Sequence, residues 1–321
     1  MRGRGGGVMN DGRKALVFEG QGGDAAGLPA ALGRDCPTCG EVLNEADAAL
    51  GFPLSKVIFE GTPDELRQTA VAQPALVAIE VAHARHLLSL GVRPAYLAGH
   101  SIGQYAALVI ADAVDFADAV RLAARRGELM QAAVPDGVGA MVAVSGLELS
   151  DVLSVCRDRR HLGAVGVACD NAPGRTVVSG TSAAVGAVVT ACQDEGAITA
   201  ELPVSVPFHC DLLSDVKDAF ATALGEVTFR TPAISVVDNV TARLLTAGDD
   251  IRSLLAEHIV ARVRFRESLK LIAASGAVGE IVTCGPGHSL VKMIGKTVPG
   301  VRAVPFDRYV LDCSAGLGGG H

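Results

Sequence analysis

The stretch from Pro94 to Ala111, PAYLAGHSIGQYAALVIA, restricts the fold of this 321-residue chain more than any other. Three small or apolar residues, Tyr96-Leu97-Ala98, read as a strand. They run into Gly99-His100-Ser101-Ile102-Gly103, and Gln104 to Ala111 read as a helix. Strand, G-x-S-x-G and helix in that order describe a nucleophile elbow. The glycines permit a sharp turn where a Cβ would meet the neighbouring strand or helix. The serine then lies at a helix N-terminus, where backbone N–H groups favour a nearby oxyanion. A strand-to-helix turn with a capping serine has the same outline, so both flanks together carry the reading.

Composition narrows the class. Hydrophobic residues make 49% and charged residues 20%, enough for a large core and inconsistent with disorder. A net charge of −7 argues against nucleic acid as a partner, because phosphates must be neutralised by a basic surface. No apolar run reaches the roughly 18 residues that span a bilayer. The leader MRGRGGGVMNDGRK has no apolar core of a secretory signal. A cytoplasmic protein with reduced thiols is expected, and its eight cysteines read as mostly buried. Cys36 and Cys39 form a single C-x-x-C without the second pair that a structural zinc requires. His83 and His86 read as a solvated helix face, and no metal or redox cofactor is indicated.

Taken in order, residues 14–19 read as a strand ending in the glycine-rich turn Gly20-Gln21-Gly22-Gly23, which lacks dinucleotide spacing. Residues 73–90 read as a helix with Pro74 in its first turn, and 115–133 as a helix carrying Arg121, Arg125 and Arg126. Between Gly139 and Pro203 the rhythm is β-α-β-β-α-β, the ferredoxin-like arrangement, with Asn171 in the turn of its central hairpin. The chain then returns through VSVPFHCDLL, placing His209 near a junction where a cleft is expected. The expected organisation is a flexible leader (1–13), a large α/β domain (14–135 and 205–308), a small insert domain (136–204) and a flexible tail (309–321).

The motifs GQG, GHSIGQY, RRGELMQ, PFHC and GPGHSL together resemble the malonyl-CoA:acyl carrier protein transacylases and the acyltransferase domains of polyketide synthases. The likeness runs over about residues 14–307. It implies an α/β-hydrolase-like large domain with a ferredoxin-like insert. It also implies that Ser101 takes the acyl group as an ester and that His209 serves as base and acid. Backbone N–H groups of Gln21 and Ile102 match the oxyanion hole. Arg126 matches the arginine that pairs with a malonyl carboxylate, a task suited to a planar, always-charged fork. His100 and Asn171 match pocket residues. Phe208 matches enzymes that favour malonyl over α-branched units, and His258 matches the residue whose main-chain carbonyl orients the catalytic histidine. The substrates implied are a CoA thioester and the phosphopantetheine thiol of an acyl carrier protein, with no permanently bound cofactor and no membrane.

The chain departs from the family pattern at Glu19, where proline is usual, and at Gly22-Gly23-Asp24. It departs again at His258, where bacterial transacylases carry glutamine, and at Gln104, where glutamate is usual. The last two lean towards polyketide or related secondary metabolism. Arg262, Arg264, Arg266, Lys292 and Lys296 are the candidates for docking an acidic carrier protein. Other readings are transfer of another acyl or aminoacyl group between carrier proteins, and hydrolytic editing of stalled chains. A true esterase would use His288 as base, and a non-enzymatic scaffold would have a dead site.

Overall fold

The computed structural model describes residues 13–22, 27–28, 37–135, 137–204 and 206–317. The expected leader lies almost wholly outside them, as do Gly23, Asp24 and Cys36. Among the described residues no helix is long and apolar enough to cross a membrane.

Two sheets organise the α/β fold. The first contains β1 (Arg13–Phe18), β2 (Pro94–Gly99), β7 (Ser235–Val237), β8 (Val278–Cys284) and β9 (Arg302–Pro305) in the order β7-β2-β1-β8-β9. All its neighbours are parallel. A parallel sheet is covered on both faces, so its strands read as unbroken apolar runs. Ala15, Leu16, Val17 and Phe18 of β1 are all fully buried.

The helices follow in chain order. They begin with α1 (Pro37–Leu50), α2 (Leu54–Glu60), α3 (Pro63–Arg67), α4 (Thr69–Ser89), α5 (Gly103–Ile110) and α6 (Phe116–Ala133). The long α4 packs against α1, α5 and α6. It begins at Thr69, four residues before the expected start, so Pro74 stands inside the helix and not in its first turn. His83 on α4 is buried and stacks on Phe306 at 3.7 Å between ring centroids, which corrects the solvated face expected for it.

The second sheet contains β3 (Gly139–Ser145), β4 (Val165–Ala172), β5 (Arg175–Thr181) and β6 (Ile198–Glu201), all antiparallel in the order β4-β5-β3-β6. Helices α7 (Leu149–Asp158) and α8 (Ser182–Asp194) interleave with them. Strand alternation divides the side chains. Val142, Val144, Val167 and Val178 join a small core with α7 and α8. Met141, Ala143, Cys169 and Val177 point the other way, into the main core. The β4–β5 turn is Pro173-Gly174, so Asn171 belongs to the strand and not to the turn.

The remaining helices are α9 (Ser214–Gly225), α10 (Ile251–Glu257), α11 (Phe265–Ala274), α12 (Ser289–Thr297) and α13 (Phe306–Leu317). The last makes residues 306–317 helical, where the sequence reading has a tail from residue 309.

Candidate active site

The carboxyl ends of β1, β2 and β8 converge, the usual place for a ligand in an open α/β sheet. At the end of β2 the chain turns through His100-Ser101-Ile102 into α5. A Cβ on Gly99 would lie 2.0 Å from the Gln104 nitrogen, and one on Gly103 2.6 Å from the Glu19 carbonyl oxygen. Both glycines are therefore required by contact. Ser101 has φ +53°, a left-handed conformation costly for a residue with a side chain. Hydrogen bonds hold it there. The His100 N–H donates to the Phe18 carbonyl at 2.8 Å, and the Ser101 N–H to Asn239 Oδ1 at 2.9 Å. Asn239 Nδ2 donates to the Gly99 carbonyl at 2.8 Å and to Gln104 Oε1 at 2.6 Å. Asn239 is a site residue that the sequence reading missed, and it gives Gln104 a definite task.

Ser101 Oγ lies 2.7 Å from His209 Nε2. The other ring nitrogen, Nδ1, faces the carbonyl oxygens of His258 at 2.9 Å and Ala261 at 3.1 Å. A carbonyl can only accept, so Nδ1 carries the proton and Nε2 is free to take one from the serine. Burial, helped by the charge of Arg126, pushes the His209 pKa down to about 3, so the resting imidazole is neutral. His258 acts here through its main chain. Its own ring is buried, and burial likewise keeps it neutral. His288 is remote from this pair in its contacts. It is exposed and meets Asp307 at 3.3 Å, which corrects the alternative with His288 as the base.

A cavity of about 780 Å³ opens at this pair, between the two sheets. Gly20, Gln21 and Gly22 form one wall, and Ser289, Leu290 and Met293 another. Phe208, buried, and Met141 from β3 narrow the interior. His100 Nε2 donates to Asn171 Oδ1 at 2.8 Å, tying the elbow to the second sheet. Arg175, exposed at the start of β5, also lines the cavity, and no sequence signal distinguished it.

Arg126 is 1% exposed, and burial lowers its pKa. Its Nη1 donates to Gln73 Oε1 at 2.8 Å, while Nε and Nη2 have no acceptor among the described residues. The Tyr105 hydroxyl, whose pKa burial raises against the charge of Arg126, is likewise buried and has no partner among the described residues. A guanidinium taken out of water with only a neutral amide partner is costly unless an anion completes the site.

Two of the expected docking arginines are engaged within the chain. Arg264 Nε donates to Glu267 at 2.8 Å. Arg266 Nε donates at 2.9 Å to the buried Asp170 of β4, tying α11 to the second sheet. Arg262 is half-buried, whereas Lys292 and Lys296 on α12 are exposed.

The acyl transferase domain family matches residues 15–303 of this chain. The malonyl CoA-acyl carrier protein transacylase of Escherichia coli K12 is 39% identical over 291 residues, covering 90% of this chain and 94% of its own. The solved transacylase of that name from Coxiella burnetii superposes with a TM-score of 0.90 at 35% identity, covering 95% of this chain and 96% of its own. A malonyl-transacylase solved with a type II polyketide synthase acyl-carrier protein gives a TM-score of 0.87 at 35% identity, covering 91% of this chain and 95% of its own.

Proposed function

The chain belongs to the acyl transferase domain family, and we propose that it moves a malonyl group from coenzyme A to the phosphopantetheine thiol of an acyl carrier protein. The observation that carries this is the buried guanidinium of Arg126, with two nitrogens unpartnered among the described residues and near enough to His209 for its charge to lower that imidazole's pKa. A malonyl thioester supplies both what the Ser101–His209 pair attacks and the carboxylate that Arg126 lacks.

His209 Nε2 takes the Ser101 proton as Oγ bonds to the thioester carbonyl carbon, and the carbonyl π electrons move onto oxygen. The N–H groups of Gln21 and Ile102 receive that oxyanion. The choice of Ile102 is supported by the engagement of the Ser101 N–H with Asn239. Collapse of the intermediate breaks the C–S bond, and CoA leaves with the proton from His209. The carrier thiol then repeats the sequence in reverse. The His258 and Ala261 carbonyls keep the imidazole in the tautomer needed and stabilise the imidazolium that forms. Phe208 limits room beside the α-carbon, and His100 with Asn171 borders the entry of the pantetheine arm.

The strand order β4-β5-β3-β6 supports reading residues 136–204 as a ferredoxin-like domain inserted into an α/β-hydrolase-like one. Carrier docking falls to Lys292 and Lys296, since α12 also supplies the Leu290 and Met293 wall of the cavity. His258 and Gln104 favour a polyketide-type pathway, which competition between fatty-acid and polyketide carrier proteins for the malonyl group would test. The activity itself is tested by offering malonyl-CoA and acetyl-CoA and identifying the adduct on Ser101 by mass spectrometry. A malonyl ester that passes to holo carrier protein is expected. An adduct on another residue would overturn the assignment.

A further inference from the structure

Glu19 directly follows β1 and precedes the Gly20-Gln21 turn, at the position where the family pattern carries proline. It is buried, and its Oε2 accepts the Gly287 N–H at 2.6 Å. Its own N–H donates to the Cys284 carbonyl at 3.1 Å. These two contacts join it to the loop between β8 and α12. The glycines of that loop let it close on the side chain. A Cβ on Gly285 would stand 2.6 Å from Glu19 Cγ, and one on Gly287 2.9 Å from Oε2. On one side of the contact the chain enters Gly20, which lies against His100 so closely that a Cβ would be 2.6 Å from the ring Nδ1. Gln21 follows. On the other side it enters Ser289, Leu290 and Met293, the facing wall of the cavity.

We propose that Glu19 is a positioning residue for acyl transfer: by holding the Gly287 N–H, its carboxylate fixes the Gly20-Gln21 turn, and with it the oxyanion donor, relative to Ser101. This rests on the reading of Gln21 as that donor. The latch responds to pH. From α4, Glu80 lies near Glu19 and His83 against the same loop. Glu80 is fully buried, and burial together with the Glu19 charge holds its pKa well above the usual range against a backbone contact from Glu19. His83 Nδ1 accepts the Gly285 N–H at 3.2 Å. Cys284 of β8 is a buried thiol whose pKa is raised by that burial. His288 in the loop attracts the carboxylate while pairing with Asp307, and burial lowers the pKa of His100 beyond Gly20. Burial raises Glu19 to about 7, opposed by the Gly287 hydrogen bond and by His288. Above that pH the carboxylate makes a charge-assisted bond. Below it the carboxylic acid is the weaker acceptor, and the turn loosens.

The test is single-turnover acylation of Ser101 by malonyl-CoA between about pH 5 and about pH 9. The wild-type rate should rise about three- to tenfold with a midpoint near 7. His209, at about 3, titrates outside this window. Glu19→Gln keeps an acceptor without a charge and should give a flat profile, whereas His288→Gln removes an attraction that lowers Glu19 and should keep the rise with its midpoint moved upward. In the wild-type protein the Gly287 amide proton should move upfield on acidification with the same midpoint, a measurement that stands even if the Glu19 variant does not fold. A rise with unchanged midpoint in Glu19→Gln, or a Gly287 amide indifferent to pH, overturns the proposal while leaving the acyl-transfer reading intact. Failure of Ser101 to acylate at any pH overturns both.

Discussion

Replacing Arg126 by methionine, which is similar in length but uncharged, should separate recognition of the malonyl carboxylate from the chemistry at Ser101. Its Nε and Nη2 are buried without acceptors among the described residues. Two hydrogen bonds from a charged donor contribute about 1.5–3 kcal/mol each, so their loss removes about 3–6 kcal/mol. At about 1.4 kcal/mol per tenfold, kcat/KM for malonyl-CoA should fall roughly 10²- to 10⁴-fold. Acetyl-CoA offers no carboxylate, so its kcat/KM should change by less than about tenfold. Among the described residues the guanidinium has only the Gln73 amide oxygen as partner. Removing an ion so poorly compensated should leave the Tm of the unliganded protein unchanged or higher. Steady-state rates with both thioesters and a holo carrier protein, with thermal unfolding beside them, make the comparison. A malonyl-to-acetyl preference within about threefold of wild type would refute the assignment of Arg126.

Three further outcomes follow from the same geometry. Folded His209 has a pKa lowered to about 3 from 6.5, so below 6.5 the unfolded chain binds a proton that the folded chain refuses. Its contribution to stability should therefore fall as pH drops from 6.5 towards 3, and His209→Gln should remove that part of the slope in urea unfolding. Asn239→Ala strips hydrogen bonds from Ser101 N–H, the Gly99 carbonyl and Gln104. It should cost about 2–4 kcal/mol and slow fluorophosphonate labelling of Ser101. Unchanged labelling would show that the elbow holds its shape without the clamp. Charge reversal at Lys292 and Lys296 should raise KM for the carrier protein without slowing self-acylation from malonyl-CoA, and a loss of both rates would place the effect elsewhere.

Legibility in the sequence followed how local the determining physics is. Gly99 and Gly103 announce the elbow because any Cβ there meets backbone. The β-α-β-β-α-β rhythm was readable because alternation sorts Met141 and Ala143 from Val142 and Val144 within one strand. Asn239 was not readable, since its value comes from reaching across 138 positions to Ser101. Arg266 looked like surface charge, but Asp170 on a distant strand claims it. Pro74 lies beyond the first turn because α4 begins at Thr69, earlier than its apolar run suggested. Helix α13 runs into the stretch from residue 309 that reads as tail, and Phe306 at its start stacks on the buried His83. Arg126 and His209 were singled out by family resemblance. The spacing of charges on α6 alone did not distinguish Arg126 from Arg121 or Arg125, both of which form ordinary surface ion pairs.

The most direct test of the central claim follows one acyl group through one residue. The protein is exposed briefly to malonyl-CoA, digested and mapped by mass spectrometry, and a parallel sample is chased with holo acyl carrier protein. A malonyl ester on Ser101 that disappears as malonyl carrier protein forms is the predicted result. An ester that decays to free malonate at the same rate with or without the carrier would contradict transfer, and an unmodified Ser101 would contradict the nucleophile itself.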